Sequence, residues 1–472
     1  MSVFVKITTP GGTVYRVSDG PTEHSGFAWR PFLTNAVTIE RAARSTADGI
    51  PVTTQPLNIW NAERDIGVVD ESLKDALTDS IVEIEVTGIQ GGWNGIIKAW
   101  EQTEKGLLSI MAGQDTLTIF KRQVPDETVR LVTFTGASRD AVNTPIPTAM
   151  GGSTSDPVPV PGILIDRVGF TWAFSVGKCR SIVRVLSDRK AITTGFTTYL
   201  GTADQAIWPG LVCVKFAADP RDSNGRWPEI SAELVGLEIG ATEAEGRNPA
   251  RVIQAYLTTA DTGACGWGLG ESVGSIDSVS FNQAILDCDT LCLKLDGMMS
   301  QPALSSFWLA QMCLGGLLRL DKSAGKWRLR VDMPTDSVKE YDADNILSYS
   351  IWPGDSSLRH KLARIQYRAD FITKQFLGSA TRTIGTIGQD ENALEQHLVR
   401  DHTTGNAIVD YVANIEKFGE LRMQLKTPDV TVGARTLEED DVITVIVPEF
   451  PAGRLFRVTK LSQGTDEARI EA

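Results

Sequence analysis

The sequence predicts an α+β, mostly β, multidomain protein, with β-barrel domains at both ends and an α+β region between them. Three observations carry this reading. Runs of period-two hydrophobicity crowd the first 125 residues and return after residue 395. Apolar spacings of three and four are concentrated between residues 248 and 316. A stretch rich in proline and small polar residues, 136–162, separates the first strand-rich part from the rest of the chain. At 472 residues the chain is too long for one core and corresponds to about three domains of ordinary size.

Residues 1–125 read as the N-terminal barrel. VFVKI alternates Val3, Val5 and Ile7; IVEIEV sets Val82, Ile84 and Val86 against Glu83 and Glu85; NGIIKAW and LLSIMA flank the turn EQTEKG. Only DESLKDALTDS, 70–80, reads as a helix. Residues 126–162 come next as a linker or extended arm, because GASRDAVNTPIPTAMGGSTSDPVPVPG holds no core-forming run. In 163–335 strands come first. VCVKFAADPRDSNGRWPEISAELVGL predicts a hairpin turning at Asn224-Gly225, with Ile230, Ala232 and Leu234 alternating against Glu229, Ser231 and Glu233.

Helices come next in the same region. Asn248 is a good N-cap and Pro249 suits the first helical position; Val252, Ile253, Tyr256 and Leu257 form one apolar face. A second helix, 280–289, aligns Phe281, Ala284, Ile285 and Cys288. A third begins near Leu304, carries Phe307, Met312 and Leu314, and stops at Gly315-Gly316. It leads into the hairpin LLRLDKSAGKWRLRV, where Trp327, Leu329 and Val331 face away from Arg328 and Arg330. Residues 336–394 read as connecting strands. The C-terminal barrel, 395–472, has one helix with Ile408, Val412 and Ile415 in line, then the strands LRMQLKT, DVITVIV, RLFRVTKL and ARIEA.

Composition narrows the function. The formal charge of -13 argues against stable DNA binding, because phosphate contacts need clustered Lys and Arg. No apolar run is long enough to span a membrane, and the N-terminus lacks a basic region followed by an apolar one, so neither anchor nor leader is expected. The six cysteines, 179, 213, 265, 288, 292 and 313, contain no CxxC pair. A cluster held by those between 265 and 313 is conceivable, but burial as small apolar residues is the favoured reading.

The candidate chemistry thins out on inspection. GLGESVG misses the dinucleotide fingerprint by one residue and comes after a helix where a strand is required. The acidic loop DPRDSNG has Pro220 where a calcium loop needs its first carboxylate. Among His24, His360, His397 and His402, the last two are five apart, which misses the spacing of a helical zinc site. Cys265, in ACGWG, has no evident paired histidine. No catalytic, cofactor-binding or metal-binding residue is assigned, and no cofactor. Trp267, beside glycines, reads as a large side chain capping a core at a sharp turn.

Five motifs then stand in order across residues 212–331: a strand ending in Gly236-Leu237, the NPA helix at Asn248, the WGLG turn at Trp267, Ile276-Asp277 before a helix ending in Cys288-Asp289, and the Gly-Lys-Trp-Arg hairpin at 325–328. This order resembles the hub region of long-tailed phage tail-tip or baseplate proteins, and is similar to the tip-attachment (host-specificity) proteins of phages and gene transfer agents. LEEDDVITVIVP resembles a strand of the same family's last barrel, with Asp440-Asp441 where a glycine-aspartate pair is usual. The resemblance implies a non-enzymatic virion protein at the distal end of the tail, made in the host cytoplasm. It implies a homotrimeric ring that meets the distal tail or tail tube protein, the tape-measure protein and a central tail fibre or tip protein, and lets DNA pass. A tail-associated cell-wall hydrolase and a receptor-binding tip protein are the alternatives.

Overall fold

The structure is a computed structural model that describes residues 3–9, 14–18, 22–24, 27–29, 39–42, 54–60, 81–86, 93–102, 107–113, 122–125, 128–260, 267–323, 326–332, 337–353, 360–385, 391–418, 421–433, 435–437, 441–463 and 468–472. It is mostly β and multidomain. The helix expected over 70–80 lies outside the described residues.

Alternation builds the first sheet as expected. Val3–Thr8 lies between Val14–Ser18 and Ile81–Val86, and Trp93–Gln102, Leu107–Gly113 and Thr54–Trp60 continue the order. Val5 faces Ile84, and Ile7 faces Val82, on the buried side. Lys6 and Glu83, opposite each other in the same register, form an ion pair on the other side. Among the described residues this order is open, with Val14–Ser18 and Thr54–Trp60 at its edges.

Two four-stranded sheets form a β-sandwich next. One runs Val158–Pro161, Ile230–Leu237, Cys179–Ser187, Lys190–Ile192; the other runs Ile163–Asp166, Thr171–Val176, Leu211–Phe216, Phe196–Leu200. Val160, Ala232, Leu234 and Val185 from the first share one core with Trp172, Phe174, Val212 and Val214 from the second. This corrects the hairpin reading of 212–237. Leu211–Phe216 and Ile230–Leu237 lie in different sheets, and residues 217–229 cross between them. The turn at Asn224-Gly225 does form, with the Gly225 N–H donating to Asp222 O at 2.9 Å, but it sits inside that crossing. A local turn signal fixes a turn, whereas pairing is chosen by which apolar faces must meet.

The expected linker is also corrected. Val129, Phe134, Ala137, Ala141, Ile146 and Met150 are buried in the largest core, beside the helices. Gln123–Val124 pairs with Ala303–Leu304, Thr148–Met150 with Gly297–Met299, and Val158–Pro161 with Ile230–Leu237. Two of the five prolines that argued against structure, Pro159 and Pro161, occupy an edge strand, where a missing N–H is tolerated.

Five helices complete the described elements used below: α1 (Glu243–Arg247), α2 (Pro249–Thr258), α3 (Ser278–Thr290), α4 (Ser305–Gly315) and α5 (His402–Phe418). The apolar faces read for α2 and α3 are the buried ones, residue for residue. In α4, Met312 and Leu314 are buried but Phe307 is exposed; Trp308, the next residue, takes the core position. In α5, Ile408 and Val412 are buried, while Ile415 is exposed. Leu362–Asp370, between Gln375–Thr383 and Asn392–Glu395, packs against α5, so part of 336–394 belongs to the main core. Lys339–Tyr341 and Ser348–Pro353 instead join the C-terminal strands. The sheet Ser348–Pro353, Leu421–Thr427, Ala468–Glu471, Lys460–Gln463 ends in Ile39–Ala42, so the two ends of the chain share one sheet.

Candidate functional site

Four of the five ordered motifs converge on one knot around α2 and α3, and Leu237 of the first motif is buried in the same core. Asn248 begins it. Its Oδ1 accepts the N–H groups of Ala250 and Arg251 at 3.0 and 3.2 Å, capping α2. Its Nδ2 donates to Ile285 O at 3.0 Å and to Asp289 Oδ1 at 2.8 Å, near the other end of α3. The NPA motif therefore holds the Cys288-Asp289 motif directly. Because Asn248 is buried, all four contacts replace water that the side chain has lost.

The WGLG turn closes the other end of α2. The N–H groups of Leu269, Gly270 and Glu271 donate to Tyr256 O, Thr259 O and Leu257 O, each at 2.8 Å, which satisfies carbonyls that a helix end leaves open. A Cβ on residue 268 would stand 2.5 Å from Thr259 O, so the turn requires glycine there. Trp267 stacks on Tyr256 with centroids 6.2 Å apart and an interplanar angle of 27°. It caps the core, as the sequence indicated.

Ile276-Asp277 meets the Trp327 hairpin. The Asp277 N–H donates to Trp327 O at 2.8 Å, and Arg328 Nε lies 3.4 Å from Asp277 Oδ2. Trp327 is fully buried, and its indole N–H donates to Glu271 Oε2 at 3.0 Å. Sequence periodicity found the side chains of this knot but not the polar cross-links, because a hydrogen bond 41 or 56 residues away leaves no local pattern.

Around the knot lie ionic joints that sequence reasoning missed, two of them built on the buried carboxylates of Asp296 and Asp332. Asp296, with its side chain 1% exposed, accepts from Arg247 Nε at 2.7 Å, from Arg247 Nη2 at 2.5 Å, and from the Gly152 N–H at 2.8 Å. It ties the 126–162 arm to α1. Asp156, also on the arm, meets Arg400 Nη2 at 3.2 Å and Arg368 Nη2 at 3.3 Å. Asp332 accepts from Arg319 Nε at 2.8 Å, from Tyr411 and from Arg457, and so joins the Trp327 hairpin, α5 and the strand Phe450–Arg457. Burial, and then the charge of Arg319, pushes Arg457 down to about 10, which leaves it charged at neutral pH.

The remaining candidate residues are not gathered into one place. Burial pushes the thiols of Cys179, Cys288 and Cys313 up to about 12, and that of Cys213 up as well, so these are packing groups at neutral pH. Cys292 is exposed, and Cys265 lies outside the described residues. Among the described residues no three His, Cys, Asp or Glu side chains are grouped to hold a metal ion. His402 bonds Tyr367 and Asn406 at the start of α5, and the His397 ring lies 5.3 Å from that of Phe376, tilted at 55°. No described helix is long and apolar enough to cross a membrane.

No family model matches the chain, and no curated protein matches it by sequence. Among solved structures it is similar to the 43 kDa tail protein of prophage MuSo2 from Shewanella oneidensis, at 9% identity over 100% of this chain and 98% of that one, with a TM-score of 0.43. It is also similar to a chain of a native gene transfer agent virion, at 16% identity over 69% of this chain and 80% of that one, TM-score 0.42. A tail protein from Neisseria meningitidis is similar at 8% identity over 99% and 95% of the two chains, TM-score 0.42.

Proposed function

We propose that the chain is the structural hub of a phage tail tip or baseplate. Three copies form a ring at the distal end of the tail that joins the tail tube to the tip or central fibre. The observation that carries this reading is the knot. Four of the five motifs whose order resembles that of tail-tip hubs are joined through Asn248–Asp289, Tyr256–Trp267 and Trp327–Glu271, Leu237 of the fifth lies in the same core, and their side chains cap, stack and close it. Chemistry would leave such groups aimed at a cleft; here they support a scaffold. The strand-rich units at the two ends of the chain supply the barrel-like layers of the ring.

A ring of three copies carries a formal charge of three times -13, or -39, and an acidic lumen repels a phosphate backbone. DNA then passes without sticking once a plug is released. Light scattering of the assembled tip, with antibody labelling of intact particles, tests the reading: three copies per tip at the distal end are expected. A ring-less monomer in intact virions overturns it, and so does hydrolysis of purified cell wall by the chain.

A further inference from the structure

Two sheets end in outer strands that are long and unprotected. Among the described residues, Ser348–Pro353 has Leu421–Thr427 as its neighbour on one side only, and Gln375–Thr383 likewise has only Leu362–Asp370. Along such an edge, alternate N–H and C=O groups turn away from the sheet and can pair with another strand. Other edges are blunted. Val158–Pro161 carries two prolines, Phe450–Arg457 carries Pro451 and Gly453 at a φ of 80°, and Lys190–Ile192 is only three residues long. By contrast, Ser348–Pro353 has its proline at the last position and Gln375–Thr383 has none.

Both open edges turn large apolar side chains to water. Tyr349 and Trp352 are 37% and 39% exposed, Leu347, which leads into the same strand, is 58% exposed, and Leu377 on the other edge is 62% exposed. The charges beside them are opposite in sign. From 340 to 353 the chain has three acids, Glu340, Asp342 and Asp344, and no base. The Tyr349 hydroxyl donates to a further acid, Glu449, at 2.9 Å. From 371 to 389 the chain has two bases, Lys374 and Arg382, and no acid. Arg382 is bound to Asp410, whereas exposed Lys374 and Asp344 make no ion pair among the described residues.

We propose that these edges are the two halves of a seam between copies of this chain, with Ser348–Pro353 of one copy pairing with Gln375–Thr383 of the next. Lying parallel, the strands bring Lys374 to the Asp342–Asp344 end and Leu377 towards Tyr349, so opposite charges meet and apolar side chains leave water together. A contact between two unlike edges is head-to-tail, the kind that closes into a ring. The proposal rests on the reading that copies of the chain associate, and adds which surfaces meet.

Sedimentation velocity of the full chain over a concentration series at low salt tests the seam. The parent should assemble reversibly. Lys374→Glu, Asp344→Lys and Leu377→Glu, all at exposed positions, should each weaken association about ten-fold with the melting temperature unchanged. Combining Lys374→Glu with Asp344→Lys should restore assembly, because the attraction returns with its signs exchanged; misfolding would not be rescued in this way. Single variants that assemble like the parent, or a double variant no better than either single one, overturn the seam. An equal loss from Leu286→Glu, on the exposed side of α3, would trace the effect to net charge and overturn it as well. A three-copy particle indifferent to the variants keeps the ring and removes the seam. A two-copy particle that comes apart in them keeps the seam and removes the ring of three, and a chain single at every concentration removes both.

Discussion

The knot over 248–331 and the arm over 126–162 enter the same core, yet they are written in the sequence in opposite ways. The knot is made of helices and a hairpin whose apolar residues recur at regular spacing, so each element presents its own face. The arm has isolated apolar residues, Val129, Phe134, Ile146 and Met150, with no period, and its burial comes from partners supplied elsewhere. One region specifies its own faces; the other is filled in by its neighbours. The knot therefore organises the core and the arm locks it.

Removing Trp327 should break the comparison on its strong side. Trp327→Ala deletes a fully buried ring and its indole bond to Glu271, and a change of this kind costs about 3–5 kcal/mol. Thermal melting should show a large loss for the whole core, arm included. An unchanged midpoint would mean that the hairpin is not part of the knot.

The arm should prove nearly as costly. Asp296→Ala leaves Arg247 buried without its partner and frees the Gly152 N–H, for a loss of about 3 kcal/mol. If the arm is a lock, limited proteolysis and thermal melting will report one cooperative loss. Nicking confined to 136–162, with the melt untouched, would return the arm to the status of a linker.

Asn248→Ala sharpens the knot's internal logic. It removes an α2 cap and two bonds to α3 at once, so about 2 kcal/mol is expected, more than a helix cap alone provides. A double-mutant cycle with Asp289→Ala should show coupling. Additive effects would mean that the two motifs act separately.

Acid should have the gentlest effect, first at His397, outside both regions, and then at the arm. Burial pushes His397 below its ordinary 6.5, with Glu395 opposing, so the folded chain binds fewer protons there and loses stability as pH falls below 6.5. Glu243, bonded by the Thr154 hydroxyl and N–H, is held below its ordinary 4.5. Its contribution is present above 4.5 and lost as pH drops through the lower folded value. Hydrogen exchange across 151–158 should therefore rise only in that second window, and Glu243→Gln should abolish the step.

Much of the fold was legible because it is local. Asn248 as a cap, the buried faces of α2 and α3, and the orientation of Trp327 each depend on neighbours within a few residues. The hairpin reading of 212–237 failed for the complementary reason. Asn224-Gly225 makes a turn in either arrangement, and only the need to bury both faces of Ile230–Leu237 sends its two flanking strands into separate sheets. Phe307 and Trp308 are adjacent, so helical spacing alone could not say which one faces inward.

The sequence by itself determined α2 and α3, the alternating strands such as Val3–Thr8 and Ile81–Val86, the order of the five motifs and the acidic balance, since periodicity, capping and charge act over short range or by simple sum. Only the tertiary structure decided that the arm is buried, that Ile39–Ala42 pairs with Lys460–Gln463, and that Asp296 and Asp332 are joints. Which strands are left as open edges belongs to that second group as well. These depend on which distant surfaces must leave water together, and that is a property of the whole chain rather than of any segment.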